Sequence, residues 1–139
     1  GNSMKKITIL LVIIFTFLFS NTSWGEWTYV VESVNGDKYY YDKDRVRKNK
    51  KFLYLWDLVD FPKPDEFGNL SVTRYIQLDC SVLRFKNLKL QVYKKSMGEG
   101  EMTNSTPRDE TMREFKRWKY PKLESTLETL LNKVCEEHQ

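Results

Sequence analysis

The chain has 139 residues, 40% of them hydrophobic and 30% charged, with 23 basic against 19 acidic side chains. Aromatic residues spread through it argue against disorder along its whole length, and after the first 19 residues no long apolar run recurs. Two distant cysteines and one histidine do not supply a closed tetrahedral metal site.

Gly1-Asn2-Ser3 ahead of Met4 reads as a cloning remnant over 1–3. Lys5 and Lys6, the apolar run Ile7 to Phe19 and the small residues of Ser23-Trp24-Gly25 then predict a secretory signal peptide over 4–25. The alternative is a retained anchor, but thirteen helical residues reach only ~20 Å of a ~30 Å hydrocarbon core. Cleavage after Gly25 leaves 26–139, a length that suits one domain. Loss of Lys5 and Lys6 takes the basic count from 23 to 21 against 19 acids, a net charge near +2. Nucleic acid is therefore a poor partner for such an exported domain. No cysteine stands at the expected cleavage point, which disfavours a lipid-anchored N-terminus.

From Glu26 to Tyr93, short runs rich in Val, Leu, Tyr, Phe and Trp are separated by turn residues, the signature of strands and hairpins. Trp27 to Val34 predicts a first strand, Asn35-Gly36-Asp37 a tight turn, and Lys38 to Asp42 a second strand. A third begins near Phe52, with Phe52, Tyr54, Trp56 and Leu58 on one face and Leu53, Leu55 and Asp57 on the other. Two largely apolar faces predict a central strand covered on both sides. Pro62, Pro64 and Gly68 mark a loop. Pairing resumes at Leu70, where Val72, Ile76, Leu78 and Cys80 share a face that Arg74 interrupts. Leu83 to Tyr93 predicts a further strand, with Leu88, Leu90 and Val92 on one face. Gly98-Glu99-Gly100 reads as a turn, and Thr103 to Glu110 as a mobile loop.

After Pro121 the period changes. Leu127, Leu130, Leu131, Val134 and Cys135 fall on one helix face, and Ser125 followed by Glu128 fits a capping box. Cys80 and Cys135 thus lie on two apolar faces of an exported domain, where pairing is favoured over two free thiols. A disulfide there ties helix to sheet. The fold class is α+β: an antiparallel sheet of about six strands with a C-terminal helix on one face.

Chemistry of the catalytic kind is sparse. His138 sits at the chain end without an evident orienting partner, and neither a nucleophile elbow nor a phosphate-binding glycine loop occurs. We read the protein as non-enzymatic, with no catalytic residues, no metal site and no cofactor called for by its residues. The densest charge run is Lys43, Arg45, Arg47, Lys48, Lys50 and Lys51, broken by Asp44. It reads either as a solvated connection that keeps a sheet edge from aggregating or as a docking site for polyanions and acidic protein surfaces. A second basic and aromatic cluster runs from Arg113 to Tyr120, with Phe115 and Trp118 expected as core anchors. Asn69-Leu70-Ser71 and Asn104-Ser105-Thr106 match a glycosylation sequon, a pattern short enough to arise by chance.

Several stations occur in one order: Lys38-Tyr39-Tyr40-Tyr41-Asp42 with Val46, the strand of Trp56, Ser71-Val72-Thr73-Arg74-Tyr75, Asp79-Cys80-Ser81, Ser96 with Gly98 and Gly100, then Pro121 and the helix with Val134-Cys135. In this order, over nearly all of 26–139, the chain resembles the surface-adhesin protein E family of Gram-negative bacteria. The resemblance implies a sheet of about six strands with a disulfide-tied C-terminal helix. It also implies an adhesin-like envelope protein that binds host matrix and serum glycoproteins, forms a homodimer and has a capacity for haem. The missing lipid-attachment cysteine departs from the family's pattern and leaves periplasm, outer surface and secretion open. Rival readings are a periplasmic structural or accessory protein and a small-ligand or haem binder using aromatic residues or His138.

Overall fold

The aromatic and β-branched runs pair into one antiparallel sheet. The computed structural model describes residues 26–139, so the segments expected as cloning remnant and signal peptide lie outside the described residues. The elements are β1 (Thr28–Glu32), β2 (Lys38–Tyr41), β3 (Arg47–Asn49), β4 (Phe52–Asp60), β5 (Ser71–Asp79), β6 (Arg84–Tyr93), β7 (Met102–Asn104), the single turn of helix α1 (Met112–Phe115) and helix α2 (Thr126–His138). The strand order is β1-β2-β4-β5-β6-β7, with β3 also paired to β4. The α+β architecture is the one expected from the sequence.

Strand β3 arises where the sequence predicted only a charged connection. Its Arg47 faces Tyr54 and its Asn49 faces Phe52, while β2 pairs with the other half of the same strand, Tyr41 opposite Asp57. Thus β2 and β3 are two parts of one line along β4, separated by a 3-10 turn at Lys43–Arg45. A second departure is β7, Met102–Asn104, which takes Thr103 and Asn104 out of the expected loop and pairs Thr103 with Val92 of β6. The Asn35-Gly36-Asp37 turn is as expected: Gly36 has φ +91°, and Ser33 N donates to Asp37 O at 2.8 Å.

Alternation along β4 and β5 gives the sheet two distinct faces. On the first, Leu53, Leu55, Ile76, Leu78 and Phe85 are buried with Leu130, Leu131, Val134 and Cys135 of α2. The stripe read from the sequence is therefore the one that packs. Ser125 caps the helix by accepting from Glu128 N at 3.1 Å. Glu128 Oε1 reaches back to Glu124 N, one residue before the expected partner. Cys80 and Cys135 are bonded, with Cα atoms 5.8 Å apart.

Arg74 interrupts this apolar face because Asp57 stands directly across from it. The guanidinium makes two bonds to the carboxylate, Nε to Oδ1 at 3.1 Å and Nη2 to Oδ2 at 2.5 Å. Burial lowers the guanidinium pKa, but the facing carboxylate outweighs it and the net direction is up. Such a pair holds its register firmly, because separating the partners would strand a buried charge. The register between β5 and β6 shifts by one residue at Tyr75 and Ile76. Phe85 and Asn87 face Leu78 and Ile76 before it, while Leu90 and Val92 face Arg74 and Val72 beyond it. Leu88 is the extra residue at this shift and has no partner in β5.

The second face is only partly covered. Residues around the 3-10 turn Ser96–Gly98 fold over its Leu58 end: Gly98 N donates to Ser71 Oγ at 2.9 Å, and Met97 N to Asp60 Oδ1 at 2.8 Å. Gly98 has φ +68°, and a Cβ there would lie 3.2 Å from Leu58 Cδ1, so the close approach favours glycine. At the Phe52 end, Phe52, Tyr54 and Trp56 remain half-buried. The central strand is thus covered on both sides over one half only.

Because Leu130 and Leu131 are fully buried, Leu130→Ala or Leu131→Ala should each cost ~2–5 kcal/mol. Chemical denaturation checks this, and an unchanged midpoint in both variants would contradict the packing.

Candidate binding face

The open half of the second face collects aromatic rings and cations from four strands. Alternation in β4 places Phe52, Tyr54 and Trp56 side by side, and register places Tyr75 of β5 opposite Trp56. Trp56 and Tyr75 have ring centroids 5.1 Å apart with planes inclined at 37°, and Tyr54 lies 6.4 Å from Tyr75 at 33°. Lys89 stands opposite Tyr75 on β6, its Nζ 5.8 Å from that ring. On the other side β3 places Arg47 opposite Tyr54. Arg45, Arg47, Trp56, Tyr75 and Lys89 together line an open cleft of about 260 Å³.

A second aromatic cluster continues this face. Trp118, which follows α1, packs on Phe52 at 5.6 Å, with Arg84 and Lys86 over its ring at 4.3 and 4.7 Å. The expectation that Phe115 and Trp118 anchor the core is thereby corrected: both are half-buried and neither belongs to the core cluster. Trp118 is held outside because its neighbour Lys119 pairs its backbone with Phe85, N to O at 2.8 and 2.9 Å, which brings the segment alongside the Phe52 end of the sheet.

The six cations singled out in the sequence are all exposed, but they do not form one patch. Arg45 and Arg47 join the aromatic cleft. Lys48, opposite Leu53 in β3, goes toward the helix side. With Lys50 and Lys51 it lines a recess of about 340 Å³ whose other walls are Leu53, Cys80, Ser81 and Gln139. Lys43 lines neither. What the sequence reading missed is the contribution of Trp56, Tyr75 and Lys89, which only pairing of β4, β5 and β6 unites with Arg47. The one available signal was the alternation that put Tyr54 and Trp56 on a common face.

Asp79 braces the end of this surface. Its side chain is buried, and its Oδ1 accepts from Ser81 Oγ at 2.6 Å and Ser81 N at 3.1 Å. Oδ2 accepts from Arg84 Nε at 3.0 Å, with Lys51 Nζ at 4.0 Å. The Ser81 hydroxyl above all, helped by Arg84, holds the Asp79 carboxyl below the usual carboxylate range against the opposing effect of burial.

His138 has the partner that the sequence did not reveal. Tyr41 OH donates to Glu137 Oε2 and lies 3.1 Å from His138 Nε2. Burial, then the bond to Glu137, raises the Tyr41 pKa, while the Tyr41 and Lys133 contacts lower that of Glu137. These residues close the end of α2 onto β2 and line neither recess. Among the described residues no three His, Cys, Asp or Glu side chains gather as a metal site, and no helix is long and apolar enough to cross a membrane.

A lowered carboxyl pKa means that Asp79 stabilises the fold above the unfolded-state value of ~3.9 and loses that contribution as pH falls through the folded value. Thermal melts from pH 6 to 2 should show Asp79→Asn below wild type at pH 6, with the gap closing below pH ~4. A gap independent of pH would contradict this.

The pattern of the family described as surface-adhesin protein E matches residues 27–136. Solved structures of Haemophilus influenzae protein E share the fold. Crystal form II superposes with TM-score 0.61 at 16% identity, covering 85% of this chain and 92% of that one. Another structure of the same protein gives 0.60 at 17%, covering 85% and 89%, and protein E from a non-typeable strain gives 0.57 at 17%, covering 84% and 79%. No curated protein matches the chain in sequence.

Proposed function

The chain belongs to the surface-adhesin protein E family, and from that premise we propose that it is an exported, non-enzymatic binding module of the bacterial envelope that docks polyanions or acidic glycoproteins outside the cytoplasm. Membership carries the coarse part, an adhesin-like surface protein. The finer part rests on one observation: six exposed cations, Lys43, Arg45, Arg47, Lys48, Lys50 and Lys51, stand along β3 and its flanking turns. Arg45 is engaged by Asp42 at 2.6 Å, and Lys51 approaches Asp79 only to 4.0 Å. Lys43, Arg47, Lys48 and Lys50 make no ion pair among the described residues.

Local concentration of charge matters more here than the domain total. A domain with net charge near +2 repels little and attracts little as a whole, whereas cations gathered at one sheet edge create a local potential that steers an anionic partner and weakens with salt. The same charges keep the edge from pairing with another strand, so the two readings of the cluster are compatible. The periplasmic accessory reading and the outer-surface reading differ in display: protease shaving of whole cells releases an outer-surface protein and spares a periplasmic one.

Surface plasmon resonance on immobilised heparin and matrix glycoproteins, at low and physiological salt, tests the binding. The wild type is expected to bind with a steep loss of affinity on adding salt. The variant with Arg47, Lys48, Lys50 and Lys51 changed to Gln should bind more weakly and with a shallower salt dependence. Equal binding by both proteins would reject the cationic edge.

A further inference from the structure

The cations of the edge are not equivalent, because two of them belong to a cleft with an aromatic floor. We propose that this cleft is a site for acidic saccharides: a sugar ring lies on the Trp56–Tyr75 shelf, and its carboxylate or sulfate groups are held from either side by Arg47 and Lys89. The inference rests on the polyanion-docking reading above and assigns it a place and a ligand chemistry.

Three features carry it. The floor is aromatic, since Trp56 and Tyr75 pack in a tilted stack with centroids 5.1 Å apart and planes inclined at 37°, and Tyr54 lies 6.4 Å from Tyr75. Both shelf residues are only half-buried, so the apolar face of a ring can cover them while its hydroxyls stay in water. The rim is cationic: among the described residues Arg45, Arg47 and Lys89 are the charged ones lining the cleft, and no carboxylate lines it. Arg45 is partly neutralised through its Nε bond to Asp42, whereas Arg47 and Lys89 make no ion pair among the described residues. Lastly, the surface continues. Phe52 lies four residues from Trp56 on the same face, ~13 Å along the strand, and there Trp118 carries Arg84 and Lys86 over its ring. Alternating rings and cations over that distance suit an oligomer with repeating acidic units rather than one small anion.

The recess beside the disulfide has three lysines, but its remaining walls are Leu53, Cys80, Ser81 and Gln139, with no ring to stack on. It attracts charge without selecting shape. Aromatic shelves flanked by cations also accept unpaired nucleobases, and the expected export of this domain decides against that ligand.

Isothermal titration calorimetry of the disulfide-bonded protein with a heparin hexasaccharide tests the proposal, alongside its desulfated counterpart and a single-stranded oligonucleotide of equal charge. Wild type is expected to bind the sulfated saccharide more tightly than either comparator. Trp56→Ala and the double variant Arg47→Gln/Lys89→Gln should each lose about tenfold or more, equivalent to ~1.4 kcal/mol. Trp56→Phe, which keeps a ring, should retain most of the affinity, and all variants are checked for an unchanged melting temperature. If heparin binds wild type but only Lys48→Gln/Lys50→Gln/Lys51→Gln weakens it, the cleft assignment falls and polyanion docking stands. Tighter binding of the oligonucleotide overturns the saccharide assignment. No binding of heparin by wild type overturns both.

Discussion

Helix α2 has one apolar stripe, and burying Leu130, Leu131 and Val134 against Leu53, Leu55, Ile76 and Leu78 commits it to one side of the sheet. The bond between Cys80 and Cys135 fixes that choice covalently at the far end of β5. Closing a loop with a sequence separation of 55 residues removes unfolded-state freedom worth ~4 kcal/mol by the chain-entropy estimate. For a single small domain this is comparable to the whole margin of stability, which is ~5–15 kcal/mol. With the helix spent on one face, the opposite face is covered at its Leu58 end by the 3-10 turn near Gly98. Toward its Phe52 end, where Trp118 packs on Phe52, Tyr54 and Trp56 stay half-buried.

Two internal carboxylates fix what that open end presents. Asp57 holds Arg74 across β4 and β5, so the pairing that sets Trp56 beside Tyr75 is the one in which a buried charge finds its counterion. A slip of one residue would separate the two ions and also turn the rings to the helix side. Asp79, at the end of β5, holds Arg84 and the Ser81 turn. Arg84 in turn lies over Trp118. Interior electrostatics thereby position a surface that is itself aromatic and cationic.

Much of this was legible in the sequence because it depends on local period. The α2 stripe, its Ser125 cap, the Gly36 turn and the opposition of Cys80 to Cys135 are each written within a few residues of one another or on a single face. The family resemblance drawn from ordered short motifs agrees with the match over residues 27–136. Strand β3 escaped because Arg47-Lys48-Asn49 has neither β-branched nor aromatic residues; it is a strand only because β4 offers its free edge. Hydrophobicity alone predicts Trp118 in the core, whereas its position follows from a two-bond bridge between Lys119 and Phe85 that no local pattern encodes. The cleft itself needed long-range register: Arg47, Trp56, Tyr75 and Lys89 come from four strands. Charge density along the chain therefore groups residues that the sheet divides, with Arg45 and Arg47 at the aromatic cleft and Lys48, Lys50 and Lys51 at the recess on the helix side.

The central claim is a division of labour between the faces, one for cohesion and one for binding. Nuclear magnetic resonance of the labelled protein during addition of a heparin hexasaccharide tests it most directly. The account predicts that the Trp56 indole and the Tyr54 and Tyr75 ring signals shift, while the methyl signals of Leu130, Leu131 and Val134 stay in place. Shifts concentrated in α2 and around Cys135, with the Trp56 and Tyr75 signals unmoved, would contradict it.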